Sequence, residues 1–345
     1  MKYSFLIFLF VLLLPACDDE KIIDDTRDGW TALAVVKGAE PKLIVIEYPS
    51  GEIINANAYA AANERQISSA PRFMASFGGF VFLLKPDDYE IEVIDNKTYI
   101  SKERISFITE KKKPLGIAFA PNATAAYVIF ERDSAIEVID LTVMKVARII
   151  NLHNVASSIF LSGNQIFVTC PKINKVAVVD TRDNELKEEI AVPEVPVLVT
   201  YTNDGLKVVV VSAGQGKYES EEEKTDAYVT LLDADSKDEI KRQPLGIGIV
   251  KPKEQVPYAL ATAERLYAFI GTQEFLLQFN TRTAAVPARL QNGKFVSLLF
   301  NDRRSEMLFI RDDGDSRQLI TYNPEDKKEI LNIKLPDGVM SLLPK

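Results

Sequence analysis

Short apolar runs that end in an acidic residue or an asparagine recur along almost the whole chain. Most read like Val-Ile-Asp, and the seven runs end at Glu47, Asp95, Asp140, Asp180, Asp233, Asn280 and Asn323. By subtraction of these numbers, successive steps are 48, 45, 40, 53, 47 and 43 residues. A regular period of this length is typical of repeats that cannot bury their apolar faces alone and stack on one another.

The third repeat shows the pattern inside one unit. An apolar segment at 116–120 precedes the turn residues Pro121-Asn122, and AYVIF, AIEVID and KVARIIN follow at 126–130, 135–140 and 145–151. These segments are rich in β-branched and aromatic residues and are separated by turn residues, which predicts four short strands. Four strands per repeat predict an all-β chain folded as a seven-bladed β-propeller.

The first repeat has three predicted strands, at 30–37, 43–48 and 52–56, and lacks an inner strand. The C-terminal VMSLL at 339–343 resembles VSLLF at 296–300, which belongs to the inner strand of the seventh repeat. We therefore expect the C-terminal strand to complete the first blade, which removes open sheet edges. Six blades is the alternative if the first repeat folds otherwise.

Composition limits the classes of function. The chain has 345 residues, 47% of them hydrophobic, and a formal net charge of −8. Such an acidic chain is a poor binder of phosphate backbones, and its most basic stretch is only Lys111-Lys112-Lys113. We therefore expect no nucleic-acid partner. The unbroken repeat indicates one propeller domain over 29–345.

Cysteine and histidine are scarce. Cys17 and Cys170 are the two cysteines and His153 is the one histidine, which excludes multi-His and Cys-based metal sites. Cys170 ends a predicted strand, and no serine or cysteine partner is spaced for a base at His153. The acidic turn at 312–315 lacks the full calcium-loop pattern and reads as a polar turn. The sequence therefore predicts no metal, no cofactor and no catalytic residue.

The N-terminus carries an export signal. Lys2 precedes an apolar run at 5–14 that is too short for a membrane span and fits a secretory signal peptide over 1–16. Leu14-Pro15-Ala16-Cys17 resembles a bacterial lipobox, which implies a lipid on Cys17 and an acidic tether over 17–28. A plain signal peptide cut nearby is the alternative.

Asp18-Asp19-Glu20 follow the lipobox at once. This cluster resembles the surface-export signal of Bacteroidota lipoproteins, which implies an outer-membrane, surface-exposed protein anchored by lipid. The periplasmic face of a membrane is the alternative.

Two segments, 126–150 and 165–190, resemble the YVTN or YncE-like propeller repeat, with Phe167-Val168-Thr169-Cys170 where that repeat has Tyr-Val-Thr-Asn. By analogy this type includes cobalamin-capturing proteins that sit over an outer-membrane transporter.

A binding face is expected where the long loops gather. The predicted loops at 60–71 and 246–257 join blades, and those at 213–226 and 311–317 join second and third strands, so all leave one face. Binding sites favour loops held by a rigid scaffold. Basic, aromatic and amide residues of this face suit a polar ligand, and the candidates are Arg65, Arg72, Lys85, Arg132, Lys172, Tyr218, Lys251, Gln273 and Arg311.

Three hypotheses follow from these patterns. The first is a membrane-anchored, non-enzymatic binding protein that captures a nutrient ligand or docks on a membrane protein. The second is a hydrolase or lactonase that uses carboxylates or a metal in the propeller channel. The third is a structural envelope protein without a small ligand. By contrast, the aspartates that end the repeats are expected to be structural, because Asp terminates strands by bonding nearby backbone groups.

Overall fold

The computed structural model describes residues 29–202, 204–214, 225–247, 260–263, 266–271, 275–301, 305–314 and 316–344. Their strands form seven four-stranded antiparallel sheets. Among the described residues, the connections between strands contain one α-helix, α1 (Ala58–Asn63), and two single-turn 3₁₀ helices, Pro86–Asp88 and Pro171–Ile173. The predicted signal peptide, Cys17 and the acidic tether lie outside the described residues.

The strands follow one another with few interruptions. In chain order they are β1 (Trp30–Val36), β2 (Lys42–Tyr48), β3 (Ile53–Asn55), β4 (Phe73–Phe77), β5 (Phe80–Lys85), β6 (Glu90–Asp95), β7 (Ser101–Ser106), β8 (Pro114–Phe119), β9 (Ala125–Phe130), β10 (Ala135–Asp140), β11 (Lys145–Asn151), β12 (Ser158–Ser162), β13 (Gln165–Cys170), β14 (Lys175–Asp180), β15 (Glu185–Ala191), β16 (Pro196–Tyr201), β17 (Lys207–Ser212), β18 (Asp226–Asp233), β19 (Glu239–Ile247), β20 (Leu260–Ala263), β21 (Tyr267–Gly271), β22 (Phe275–Asn280), β23 (Ala288–Asn292), β24 (Lys294–Asn301), β25 (Glu306–Asp312), β26 (Arg317–Asn323), β27 (Lys328–Leu335) and β28 (Val339–Pro344).

Six sheets are simple meanders of four consecutive strands, β4–β7 through β24–β27, and we call them blades 2 to 7. Blade 1 has the order β28-β1-β2-β3, so the C-terminal strand supplies its inner strand. Leu343 lies opposite Leu33, and Leu342 lies opposite Ala34. The structure therefore confirms seven blades and closure by the C-terminal strand. The inner strands of successive blades contact one another around the ring.

Burial explains why the middle strands are almost continuously apolar. β5, β9, β13 and β17 are each buried at every position after the first. Each blade packs against a neighbour on both faces, so both sets of alternating side chains leave water. The apolar core is divided into seven clusters, one in each gap between adjacent blades.

Six of the seven repeated acidic and asparagine residues terminate third strands as predicted, whereas Glu47 lies one residue before the end of β2. Asp140 Oδ1 accepts a hydrogen bond from the backbone N–H of Thr142 at 2.8 Å, and Asp95 Oδ1 accepts from Lys97 N and Thr98 N. Asp180, Asp233, Asn280 and Asn323 make the same contact with the residue two positions later. These side chains start the turn into the outer strand, and their role is structural.

Two details differ from the sequence-based expectation. The link predicted as loop at 60–71 is preceded and partly filled by α1, whose first turn is capped by Asn57 Oδ1 accepting from Ala60 N. β25 and β26 extend through Asp312 and from Arg317, so the predicted loop at 311–317 shrinks to 313–316. Among the described residues, α1 and the other helical turns fall well short of a membrane-spanning apolar helix.

Candidate ligand-binding face

Strand order places the connections on two faces of the ring. Links from an outer strand to the next inner strand, and links from second to third strands, leave one face, which we call the long-connection face. The described link 56–72 belongs to it, while the predicted loops at 213–226 and 246–257 lie mostly outside the described residues. The opposite, short-turn face carries tight turns such as Gly78-Gly79 and Gly163-Asn164. The gathering of all the long loops on one face stays a prediction.

The structure places six of the nine predicted site residues. Arg65, Arg72 and Lys85 belong to blade 2 or to the link before it, Arg132 to blade 3, Lys172 to blade 4, and Arg311 to blade 7. The other three, Tyr218, Lys251 and Gln273, lie outside the described residues. The first five are thus brought together on three neighbouring blades, and Arg311 is separated from them.

Lys85 is not a surface cation. Its side chain is completely buried, and its Nζ lies 2.8 Å from Glu92 Oε2, 2.5 Å from Glu90 Oε1 and 3.3 Å from Asp88 Oδ2. It also donates to Ser68 Oγ at 2.8 Å. An ammonium with these partners holds the loop after β5 against the third strand. In this conformation the Lys85 ammonium is inaccessible to a surface ligand, so its observed role is structural.

Glu92 is the acceptor at the centre of this group. Its Oε1 accepts hydrogen bonds from Tyr59 OH and Ser101 Oγ, both at 2.6 Å, and from Arg65 Nη2 at 2.9 Å. Burial by itself would raise the pKa of Glu92, but hydrogen bonds from Lys85, Ser101 and Tyr59 outweigh it and lower the pKa to about 2. Burial and the bond to Glu92 raise the pKa of Tyr59 to about 12. Arg65 is therefore committed to this internal network.

Blade 3 contains a related arrangement at the gap with blade 2. Lys112, from the link between the blades, donates to Glu137 Oε1 at 2.6 Å and lies 2.9 Å from Asp133 Oδ2. Arg72 forms an ion pair with Glu131, which joins the start of β4 to the loop after β9.

The buried glutamates Glu92 and Glu137 are not among the site residues predicted from the sequence. The available signal was an acidic residue in the middle of an otherwise apolar strand.

Arg311 also forms contacts inside the protein. It lies near the end of β25, and its guanidinium donates to Asp313 Oδ1 at 2.9 Å and to Gln318 Oε1 at 2.7 Å. Asp312 in turn lies 3.2 Å from Arg317 and 3.4 Å from Lys294. Two carboxylates of the acidic turn are thus neutralised by cations, as a polar turn requires. Within the described ranges, no group of three His, Cys, Asp or Glu side chains is placed to hold a metal ion.

Arg132 and Lys172 differ from the other predicted cations. Both are exposed, and neither forms an ion pair with any described residue. Arg132 has φ of 59° in the loop between β9 and β10. The next link packs on that loop, because Leu152 N donates to Ser134 O at 2.8 Å and Ala156 N donates to Asp133 O at 3.2 Å. That link also carries the exposed His153.

Cys170 is the thiol nearest to this region. It ends β13 and is completely buried. Burial raises the pKa of its thiol to about 11, and the charge of Glu189 adds to the shift. Since the thiolate is the nucleophilic form, Cys170 is inert at neutral pH in the folded state.

Comparisons with solved structures support the architecture. A putative 6-phosphogluconolactonase from Bacteroides uniformis superimposes with a TM-score of 0.67 over 92% of this chain and 100% of that chain, at 12% identity. Kuenenia stuttgartiensis hydrazine synthase gives 0.60 over 72% and 76%, at 14% identity. Dihydro-heme d1 dehydrogenase NirN, in complex with DHE, gives 0.59 over 91% and 65%, at 11% identity.

At these identities the likeness shows the β-propeller fold alone, because one propeller scaffold carries many unrelated sites. No protein-family model matches the sequence, and no curated protein matches it. The resemblance to the YVTN repeat and to Bacteroidota lipoproteins therefore stays a prediction.

Proposed function

We propose that this chain is an envelope lipoprotein, anchored through Cys17, whose propeller binds an anionic ligand at the long-connection face of blades 3 and 4. The observation that carries the proposal is the contrast among the predicted cations. Lys85, Arg65, Arg72 and Arg311 are engaged with acidic or amide partners inside the protein. Arg132 and Lys172 are exposed and have no such partner among the described residues.

Two physical features favour binding at this site: the positive charge of the two side chains and the rigidity of the loops that carry them. A phosphate or carboxylate gains its strongest hydrogen bonds from guanidinium and ammonium donors. Both cations stand on short loops held by adjacent strands, so little ordering is needed when a ligand binds. The net charge of −8 does not prevent anion binding, because salt at physiological concentration screens the electrostatic interaction of exposed charges beyond about 8 Å. Cobalamin, which carries a phosphodiester, fits the capture function that the family resemblance implies.

Binding is tested by calorimetry and thermal shift with inorganic phosphate, cyanocobalamin, haem and acidic oligosaccharides. A ligand at one hundred times its dissociation constant adds about 2.7 kcal/mol to the free energy of unfolding. The double variant Arg132→Glu/Lys172→Glu is expected to lose the shift. The double variant Lys97→Glu/Arg282→Glu, an equal charge change in two exposed turns of the short-turn face, is the matched control and should keep it. Binding that survives the double variant contradicts the proposal.

The anchor is tested separately. Mass spectrometry of the mature protein should find a diacylglycerol-modified N-terminal cysteine, and Cys17→Ala should move the protein from the detergent phase to the aqueous phase. A mature N-terminus elsewhere would favour a plain signal peptide.

The lactonase alternative belongs to a different class and has its own test. The name of the Bacteroides uniformis neighbour raises it, but that likeness carries the fold alone. Hydrolysis of a sugar lactone that is abolished by a chelator and restored by a divalent cation would favour this alternative over simple binding.

A further inference from the structure

The outer strand of blade 3, β11, is an exposed sheet edge. It is the last strand of its sheet, and its outer backbone edge has no strand partner among the described residues. Six of its seven residues are exposed, and Ile150 alone is buried. Val146 is 41% exposed and Ile149 is 59% exposed. An edge of this kind offers unpaired N–H and C=O groups beside apolar side chains, which is a template for another strand.

The other outer strands differ from β11 in composition or in length. Acidic residues lie within β7, β15, β19 and β27, and β19 also contains Pro244. β3 and β23 are shorter, with three and five residues. β11 has seven residues and contains neither an acidic residue nor a proline. The bulge that twists it away from β10 recurs in every blade, so it does not account for the difference.

The charges of β11 select among partners. Lys145 and Arg148 are exposed and form no ion pair with any described residue. Two copies of β11 paired edge to edge would bring these like charges together, which is unfavourable. An acidic strand would instead neutralise both cations while its apolar side chains cover Val146 and Ile149.

We propose that β11 is a docking edge that accepts an added strand from a partner protein. The strand that fits is an extended segment in which acidic and apolar residues alternate. The backbone hydrogen bonds of strand addition supply affinity, and the alternate side chains supply specificity. This site is independent of Arg132 and Lys172 and does not rest on the ligand proposed above.

The test uses the full chain in detergent and two fluorescent eight-residue peptides, one alternating Glu with Val and Ile, the other with Lys in place of Glu. The acidic peptide should bind and slow amide hydrogen exchange at 145–151, and the basic peptide should not bind. Arg148→Glu should weaken the acidic peptide about tenfold or more, because a charge-assisted contact becomes a repulsion.

Lys241→Glu is the matched control, because Lys241 is an exposed cation on β19, the outer strand of blade 5. Its variant should bind the acidic peptide as the parent does. Equal weakening by both variants would mean that the peptide is attracted by the overall charge of the protein and not by β11, and would overturn the proposal. So would failure of the parent to bind the acidic peptide, or exchange protection of 145–151 that comes from dimerisation without peptide.

Discussion

Lys85 Nζ lies 2.8 Å from Glu92 Oε2, and both side chains are completely buried. The two residues come from neighbouring strands, β5 and β6, of blade 2. Tyr59 of α1 closes the group by donating to the same carboxylate. The helix in the first link and the ion pair are therefore one structural unit at the gap between blades 1 and 2.

Removal of the ammonium should be strongly destabilising. In Lys85→Met, Glu92 and Glu90 lose their buried counter-charge, and breaking a buried pair in this way costs about 3–5 kcal/mol. Urea unfolding measures the loss. Lys97→Met, in an exposed turn of the same blade, should change stability by about 0.5 kcal/mol or less. A loss for Lys85→Met as small as that of the control would contradict the buried-pair interpretation.

The pKa of Glu92 predicts a pH dependence. The folded pKa of Glu92 of about 2 lies below the ordinary glutamate value of 4.5, so the carboxylate form stabilises the folded state. This contribution is present above pH about 4.5 and is lost as the pH falls towards 2. Its size is on the order of 3 kcal/mol, from the shift multiplied by about 1.36 kcal/mol per unit.

The measurement compares unfolding free energies of the parent and Glu92→Gln between pH 6 and pH 2. The difference between the two proteins should shrink as the pH falls, because the variant has no proton to gain at this position. A difference that stays constant over this range would show that Glu92 does not titrate as proposed.

Closure of blade 1 depends on the packing of β28. Leu342 is 5% exposed and lies in the core between blades 7 and 1. Leu342→Ala should cost about 2–5 kcal/mol, as expected for a truncated core leucine. Leu206→Ala, at a side chain that is 59% exposed, is the control and should be nearly neutral. Equal effects in thermal unfolding would indicate that β28 does not seal the ring.

The turn into β28 requires glycine. Gly338 has φ of +82°, and a Cβ there would lie 2.4 Å from Lys37 O. Its own carbonyl accepts a hydrogen bond from Lys37 N at 2.8 Å. Gly79 has a similar φ of +83°, but a Cβ there would meet nothing within 4 Å. Gly338→Ala should therefore lower the melting temperature more than Gly79→Ala, and the difference isolates the steric clash from the backbone strain common to both.

The buried thiol gives a test of core integrity. In a Cys17→Ala background, Cys170 should resist a thiol reagent in the native state and react on unfolding, because it is inaccessible and its pKa is about 11. Lys172→Cys, an exposed position two residues later, should react at once in the same background. Rapid native-state reaction of Cys170 would show that the gap between blades 3 and 4 opens.

The sequence by itself determined the blade count, the closing strand and the aspartate-ended third strands. These features depend on interactions that are local in sequence or that repeat from blade to blade. An aspartate bonds backbone two residues away, and each apolar strand meets the same kind of neighbour in every gap. The helix α1 was missed although Asn57 and the alanine-rich run after it were a usable signal.

Tertiary structure alone decided which charged side chains are internal. Lys85 ends the second strand of blade 2, Arg132 lies in the loop just after the second strand of blade 3, and the sequence treats them alike. Lys85 meets buried carboxylates of β6, and Arg65 reaches the same Glu92 from 27 residues away. Arg72 finds Glu131 across 59 residues. Such pairings depend on the packing of adjacent blades and on burial, which no local pattern specifies. Arg132 and Lys172, by contrast, are exposed and form no ion pair with any described residue.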